Sequence, residues 1–156
     1  MNFANAATWI GIDPGKNGGI AVVPPGPLDL AHASKMPKTP RYLFDLLTSI
    51  KAEQPACQCI IERTHSTPQM GVKSAFSFGE NRGLLVMGLV SSQISFVEVS
   101  PVKWMRHLGC MTKGDKNVTK RRSQEIFPHL RITHAIADSL LIAYYGRQMD
   151  ASTTRA

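Results

Sequence analysis

Three acidic residues in this sequence lie where acids are out of place. Asp13 closes an apolar run, Trp9-Ile10-Gly11-Ile12, and is followed at once by Pro14-Gly15-Lys16-Asn17-Gly18-Gly19. Glu62 ends a second apolar run over 57–61, and Asp138 falls in the first two turns of a third, 133–145. A lone ionised carboxylate in such surroundings is strongly disfavoured unless a partner or a metal satisfies it. Taken singly, each has a modest alternative role; an Asp before Pro-Gly commonly caps its own turn. Taken together, they point to one shared site. Carboxylates brought close repel one another, and a divalent cation removes the repulsion. Hard oxygen ligands select Mg²⁺, with Mn²⁺ as its substitute. Two such ions about 4 Å apart suit in-line hydrolysis of a phosphodiester. Neither the His nor the Cys residues have the spacing of a zinc site.

The elements that must position these acids follow from the pattern around them. β-Branched residues on either side of Pro-Gly-Lys-Asn-Gly-Gly predict a β-hairpin over 9–23. Pro24-Pro25-Gly26-Pro27 breaks the chain, and the alternation over 28–36 predicts a third strand at the sheet edge, completing a three-stranded meander. A helix then starts with Thr39 as N-cap and Pro40 in its first turn, carries Tyr42, Leu43, Leu46, Leu47 and Ile50 on one face, and ends before Pro55. Residues 57–61 form a buried strand. A long helix follows over 71–90 with two apolar stripes: Val72, Ala75, Phe76, Gly79, Gly83, Met87 and Val90 on one, Phe78, Leu85 and Leu89 on the other. Two stripes want two partners, either sheet and helix of the same chain or a second copy approaching across Gly79 and Gly83. A fifth strand over 94–99 leads into a helix begun by Ser100-Pro101, bearing Val102, Trp104, Met105 and Leu108 and stopped by Gly109. The last helix, 133–145, is apolar enough to be buried, and residues 147–156 read as a frayed tail.

With 156 residues the chain makes one domain, placed at 1–146, and its 43% hydrophobic content is that of an ordinary globule. No run approaches the roughly 18 apolar residues of a membrane span, so no membrane partner is expected. Residues 1–8 lack the charged and apolar regions of a signal peptide, and the odd number of cysteines fits a reducing cytoplasm. Eighteen basic residues against eleven acidic ones leave a net charge of +7, the footprint of a nucleic-acid binder. The charge is densest in Lys113, Lys116, Lys120, Arg121 and Arg122, around Gly114 and with Asn117 as a possible helix cap. These five are expected to contact phosphates, the alternative being a solvated face.

In order and spacing, Ile10-Gly11-Ile12-Asp13-Pro14-Gly15, Ile60-Ile61-Glu62, Phe78-Gly79-Glu80-Asn81-Arg82-Gly83, Ser100-Pro101-Val102-Lys103-Trp104, residues 116–128 and Ala137-Asp138-Ser139-Leu140-Leu141-Ile142-Ala143 resemble the RuvC family of Holliday junction resolvases. The closest likeness is to its compact bacteriophage and organellar branch, over residues 8–146. The resemblance implies an α/β, RNase H-like fold: a mixed five-stranded sheet, in which a three-stranded antiparallel meander is joined by parallel strands, flanked by helices. It implies a homodimer and Mg²⁺-dependent paired nicks across a four-way DNA junction, with no small-molecule cofactor. By position, Asp13, Glu62 and Asp138 become metal ligands, two ions to a site. Bacterial members carry a fourth ligand three residues before the last Asp, where this chain has Ala135; His134, one turn from Asp138, is the candidate replacement. The family's base-stacking aromatic has no clear counterpart; His65, Met70 and Phe76 are candidates, and Lys16 joins the DNA contacts. An organellar or phage-infected setting is compatible with the likeness. An actin-like ATPase also opens on strand, Asp and Gly, but it needs a second domain for which this length leaves no room. A non-catalytic junction-binding protein of the same fold would have lost the acids that this chain keeps.

Overall fold

The computed structural model describes residues 7–153. Residues 1–6, on which most of the signal-peptide reading rests, and 154–156, the end of the expected tail, lie outside the described residues. Strands β1 (Trp9–Asp13) and β2 (Gly19–Val23) form the hairpin, with Asp13 opposite Gly19. The turn closes through Gly18 N donating to Gly15 O at 2.9 Å. A Cβ on Gly18 would come within 2.8 Å of Asp13 Cγ and collide with the Asp13 carbonyl, so only glycine fits beside that carboxylate. Strand β3 is shorter than its alternation predicts: a single 3₁₀ turn at Leu28–Leu30 precedes the strand at His32–Lys35. Pro27 fixes its own φ at −62° and accepts from Leu30 N, which folds the first half of the segment into a turn.

Helix α1 (Pro40–Glu53) starts as its sequence requires, the Tyr42 amide donating to Thr39 Oγ1 at 3.2 Å. Leu43, Leu47 and Ile50 are buried, whereas Tyr42 is exposed rather than on the buried face. Strands β4 (Gln58–Glu62) and β5 (Ser95–Val99) complete a five-stranded mixed sheet ordered β3-β2-β1-β4-β5. β2 and β3 run antiparallel to their neighbours, while β1, β4 and β5 run parallel. Between β4 and β5 lies α2 (Val72–Ser91). Its two stripes have separate fates: Leu85 and Leu89 are fully buried against the sheet and α1, whereas Val72, Phe76, Met87 and Val90 are exposed. Leu85 is therefore core, and only the Val72 stripe is free to meet a second copy.

Helix α3 (Pro101–His107) is stopped at Gly109, whose φ of +66° is the left-handed conformation that glycine adopts without strain. Helix α4 (Asn117–Ile126) takes its cap from Asp115, whose Oδ1 accepts from Asn117 N at 2.9 Å, and not from Asn117 itself. Helix α5 (His134–Thr153) runs past the point where a frayed tail is expected. Tertiary hydrogen bonds hold the extension: Arg147 donates to Pro24 O at 3.1 Å and to Gly26 O at 2.6 Å.

The sheet buries apolar side chains on both faces. Ile10, Ile12, Ile20 and Ile61 pack with α1 and α2 on one face. Trp9, Ile60 and Val99 pack with α3 and α5 on the other, beside a cluster of Ala21, Val23, Phe127 and Leu140. Each such aliphatic side chain contributes on the order of 1.5–3 kcal/mol relative to exposure. No helix among the described residues is long and apolar enough to cross a membrane.

Candidate active site

The pleat and register of the two central strands bring the first two acids together. Ile12 of β1 pairs with Ile61 of β4 in a parallel ladder, and both side chains enter the core under α1 and α2. The next residue on each strand, Asp13 and Glu62, alternates to the opposite face, the one covered by α3 and α5. The acids thus stand side by side at the carboxyl ends of adjacent parallel strands, where α/β sheets commonly place ligands.

Glycines let α5 deliver the third. A Cβ on Gly11 would collide with Ser139 O and Ala143 N, and one on Gly19 would come within 2.6 Å of Ala135 O. Helix α5 therefore lies directly on the backbone of β1 and β2 at those two positions. This close crossing brings Asp138 into the field of Asp13 and Glu62: each of those two carries the charge of Asp138 as a cause of its raised pKa.

Burial dominates the electrostatics. It lifts Asp13 from 3.8 to about 6, with the Asp138 charge adding and the Gly15 amide and Lys116 opposing. Glu62 rises from 4.5 to about 7, mainly by burial, against the hydrogen bond from Trp104 and with further repulsion from Asp13 and Asp138. Asp138 is also raised by burial, opposed by the Thr119 hydroxyl and by the charges of Lys116 and His134. The hydrogen bonds to these acids are few. Gly15 N donates to Asp13 Oδ1 at 3.4 Å, Trp104 Nε1 donates to Glu62 Oε2 at 2.7 Å, and Asp138 Oδ1 is buried with no partner. Among the described residues, each carboxylate keeps an oxygen that no hydrogen-bond donor satisfies.

That donor set fits a hard divalent cation, which takes monodentate carboxylate oxygens and fills its remaining positions with water or substrate phosphate. As the side chains stand, no group of three or more His, Cys, Asp or Glu among the described residues is drawn together as the ligands of one ion.

The other sequence-derived candidates are dispersed. His134 is exposed at the first position of α5, and its charge reaches Asp138. Lys16, in the β1–β2 turn, lines a cleft of about 340 Å³ with Lys73, Ser77 and Asn81 of α2. His65 is exposed between β4 and α2, with half-buried Met70 further along the same connection, and Phe76 is 73% exposed on α2. Within the basic segment, Lys113 and Arg121 are exposed and Lys120 is half-buried. Lys116 is exposed as well, but its charge acts on Asp13 and Asp138. Arg122 is turned inward, donating through Nε to Leu108 O and through a guanidinium nitrogen to Glu125 Oε2, both at 3.1 Å.

Sequence reasoning missed two contributors. Trp104 stands in the sequence as an apolar helix position and as the end of the Ser100-Pro101-Val102-Lys103-Trp104 stretch of the resemblance, with no role attached, although a buried indole N–H requires an acceptor somewhere. Asn81, which donates to the Pro14 carbonyl and ties α2 to the turn after Asp13, lies in the Phe78-Gly79-Glu80-Asn81-Arg82-Gly83 stretch of the resemblance, but nothing in the sequence aims it at that turn.

No protein-family model and no curated protein sequence matches the chain. Solved structures do. Thermus thermophilus RuvC in complex with a Holliday junction substrate matches with a TM-score of 0.68 at 17% identity, over 94% of this chain and 97% of that one. A second Thermus thermophilus RuvC structure matches at 0.64 and 16% identity, over 92% and 97% of the two chains. The yeast mitochondrial Holliday junction resolvase Ydc2 matches at 0.57 and 12% identity, over 96% of this chain and 83% of that one. At these identities the likeness is one of fold, and along nearly its whole length this chain folds as RuvC does, in an RNase H-like arrangement.

Proposed function

We propose that this protein is a divalent-cation-dependent endonuclease that resolves four-way DNA junctions by paired phosphodiester hydrolysis. The observation that carries the reading is the set of three desolvated, mutually repelling carboxylates, each with an unsatisfied oxygen, on a fold shared with RuvC. Asp13, Glu62 and Asp138 would hold Mg²⁺, or Mn²⁺ in its place, with His134 as a further ligand and two ions to a site. When bound, such ions activate a water and neutralise charge on the leaving oxygen. The chain's own side chains do the rest. Lys116 beside the acids and Lys16 and Lys73 in the adjoining cleft offer cations to the scissile strand, while Lys113 and Arg121 extend the contact along its phosphates. His65 and Phe76, both exposed, are the side chains offered to stack on bases. No small-molecule cofactor enters this scheme.

The same reading calls for a homodimer, because paired nicks across a junction of two-fold symmetry need two sites related by that axis. The exposed stripe of α2 is the proposed interface: Val72 is 88% exposed and Met87 60%, and nothing lies within 4 Å of where a Cβ would stand on Gly79 or Gly83. Buried, unpaired Cys57, Cys59 and Cys110 suit a reducing compartment, cytoplasmic or organellar. We place the catalytic domain over 1–146.

The test is incubation of a four-way junction, a linear duplex and a nicked flap with the protein and Mg²⁺. Symmetrical nicks on the junction are expected, and Asp13→Asn should abolish them while keeping junction binding. Nicking by Asp13→Asn at the wild-type rate, or no preference for the junction, would refute the assignment.

A further inference from the structure

Trp104 is a fully buried neighbour of the carboxylate site. Its side chain is 0% exposed, packed among Ile60, Val99, Leu141, Ile142 and Tyr145. The indole N–H is its sole polar group, and it donates to Glu62 Oε2 at 2.7 Å. Helix α3, which carries it, is fixed at its start by Ser100 O accepting from Lys103 N at 3.1 Å and at its end by Leu108 N donating to Trp104 O at 3.0 Å. The donor is therefore held rigidly. A buried indole N–H is ordinarily satisfied by any nearby acceptor. Here the acceptor is one oxygen of an acid at the candidate site, and no other hydrogen bond to the Glu62 carboxylate forms among the described residues. The indole leaves Oε1 as the oxygen free to bind.

A carboxylate with one oxygen held by a donor meets a cation through the other. Mg²⁺ accepts such monodentate ligation in a tight octahedron at about 2.0–2.1 Å, whereas Ca²⁺ takes six to eight oxygens and readily grips both oxygens of one carboxylate. We infer that Trp104 is a positioning residue that holds Glu62 to one-oxygen ligation and so tunes the site toward small octahedral cations and against calcium. The inference rests on the reading of Asp13, Glu62 and Asp138 as metal ligands, and goes beyond it by naming what sets the choice of ion.

Metal binding without DNA or turnover tests it. Mn²⁺ bound to the protein is followed by electron paramagnetic resonance, with Mg²⁺ and Ca²⁺ as competitors, in the wild type and in Trp104→Phe, which keeps the ring and removes the donor. The wild type should prefer Mg²⁺, and in the variant the ratio of Ca²⁺ to Mg²⁺ affinity should rise by roughly tenfold, the scale on which outer hydrogen-bond partners of metal ligands act. An unchanged ratio, including equal weakening of both ions, overturns the positioning role. A wild type that binds no Mn²⁺ overturns the metal site itself. A second measurement needs no Trp104 variant. In ¹H–¹⁵N spectra, with Trp9→Phe identifying the two indoles, the Trp104 N–H should lie downfield, move upfield in Glu62→Gln and shift on adding Mg²⁺. An indole signal indifferent to both changes overturns the inference.

Discussion

Replacing Glu62 by Gln should make the metal-free protein more stable, and only on the alkaline side. Burial, with the charges of Asp13 and Asp138, holds the Glu62 carboxyl at about 7 against an ordinary 4.5. A carboxyl that binds its proton more tightly folded than unfolded favours the native state fully below pH 4.5. It loses that advantage as pH rises toward 7. Above pH 7 the ionised wild-type side chain thus opposes folding. At about 1.4 kcal/mol per tenfold the shift corresponds to roughly 3 kcal/mol, an upper value because the denatured chain is not fully solvated either. Gln keeps an oxygen for the Trp104 indole and carries no charge. The assay is thermal denaturation followed by circular dichroism from pH 4.5 to 8.5 in EDTA. For a domain of this size, about 2–4 °C per kcal/mol predicts Glu62→Gln melting some 5–10 °C above the wild type at pH 8, the gap closing near pH 4.5. Mg²⁺ at about 100 times its Kd should nearly close the gap, adding about 2.7 kcal/mol to the protein that binds it, and at about 1,000 times its Kd, where it adds about 4.1 kcal/mol, it should reverse the order. A variant less stable than wild type at pH 8 in EDTA, or a gap that does not change with pH, would refute the reasoning.

Three further outcomes are expected. If His134 is a ligand, His134→Ala should cut turnover at least tenfold while His134→Asp retains it; normal rates in both would leave a site of three carboxylates and water. In the basic segment, Lys113→Ala with Arg121→Ala should lower the slope of log K against log salt by about two. Arg122→Ala should leave the slope nearly unchanged and cost stability instead, because its guanidinium is engaged with Leu108 O and Glu125. An equal fall in slope for Arg122→Ala would contradict that division. Val72→Glu with Met87→Glu should give monomers by light scattering at micromolar concentration with the melting temperature little changed, whereas Leu85→Glu should unfold the domain, since Leu85 is fully buried. Monomeric wild-type protein on junction DNA would remove the basis for paired nicks.

Much of the architecture was legible because the chain punctuates itself. Apolar runs that end at Asp13 and Glu62 marked the strands, Thr39-Pro40 and Gly109 marked helix ends, and the glycines after Pro14 marked a turn; the crowding of backbone and carboxylate at Gly11, Gly18 and Gly19 shows only in the fold. What stayed hidden depends on partners distant in sequence. Periodicity separates the two stripes of α2 in phase but cannot say which one faces the sheet; Leu47 packing against Gly88 decides that. The alternation over 28–36 concealed a turn set by Pro27. Five basic residues look alike in a row, yet Arg122 turns to a backbone carbonyl and Lys116 toward the acids. The expected tail is helical because Arg147 finds acceptors at Pro24 and Gly26, over 120 residues away.

The order in which the acids occur along the chain has a consequence during synthesis. Asp13 and Glu62 lie on strands that precede, in chain order, the helix that carries Asp138 and covers those strands. At roughly 5–20 residues per second, the interval between the second acid and the third lasts several seconds. Throughout it the growing chain exposes a basic, strand-rich intermediate that has two acids and lacks the third. On the proposed function, a nascent chain would touch nucleic acid before it could cut it, and the docking of α5 onto Gly11 and Gly19 would be the event that completes the site.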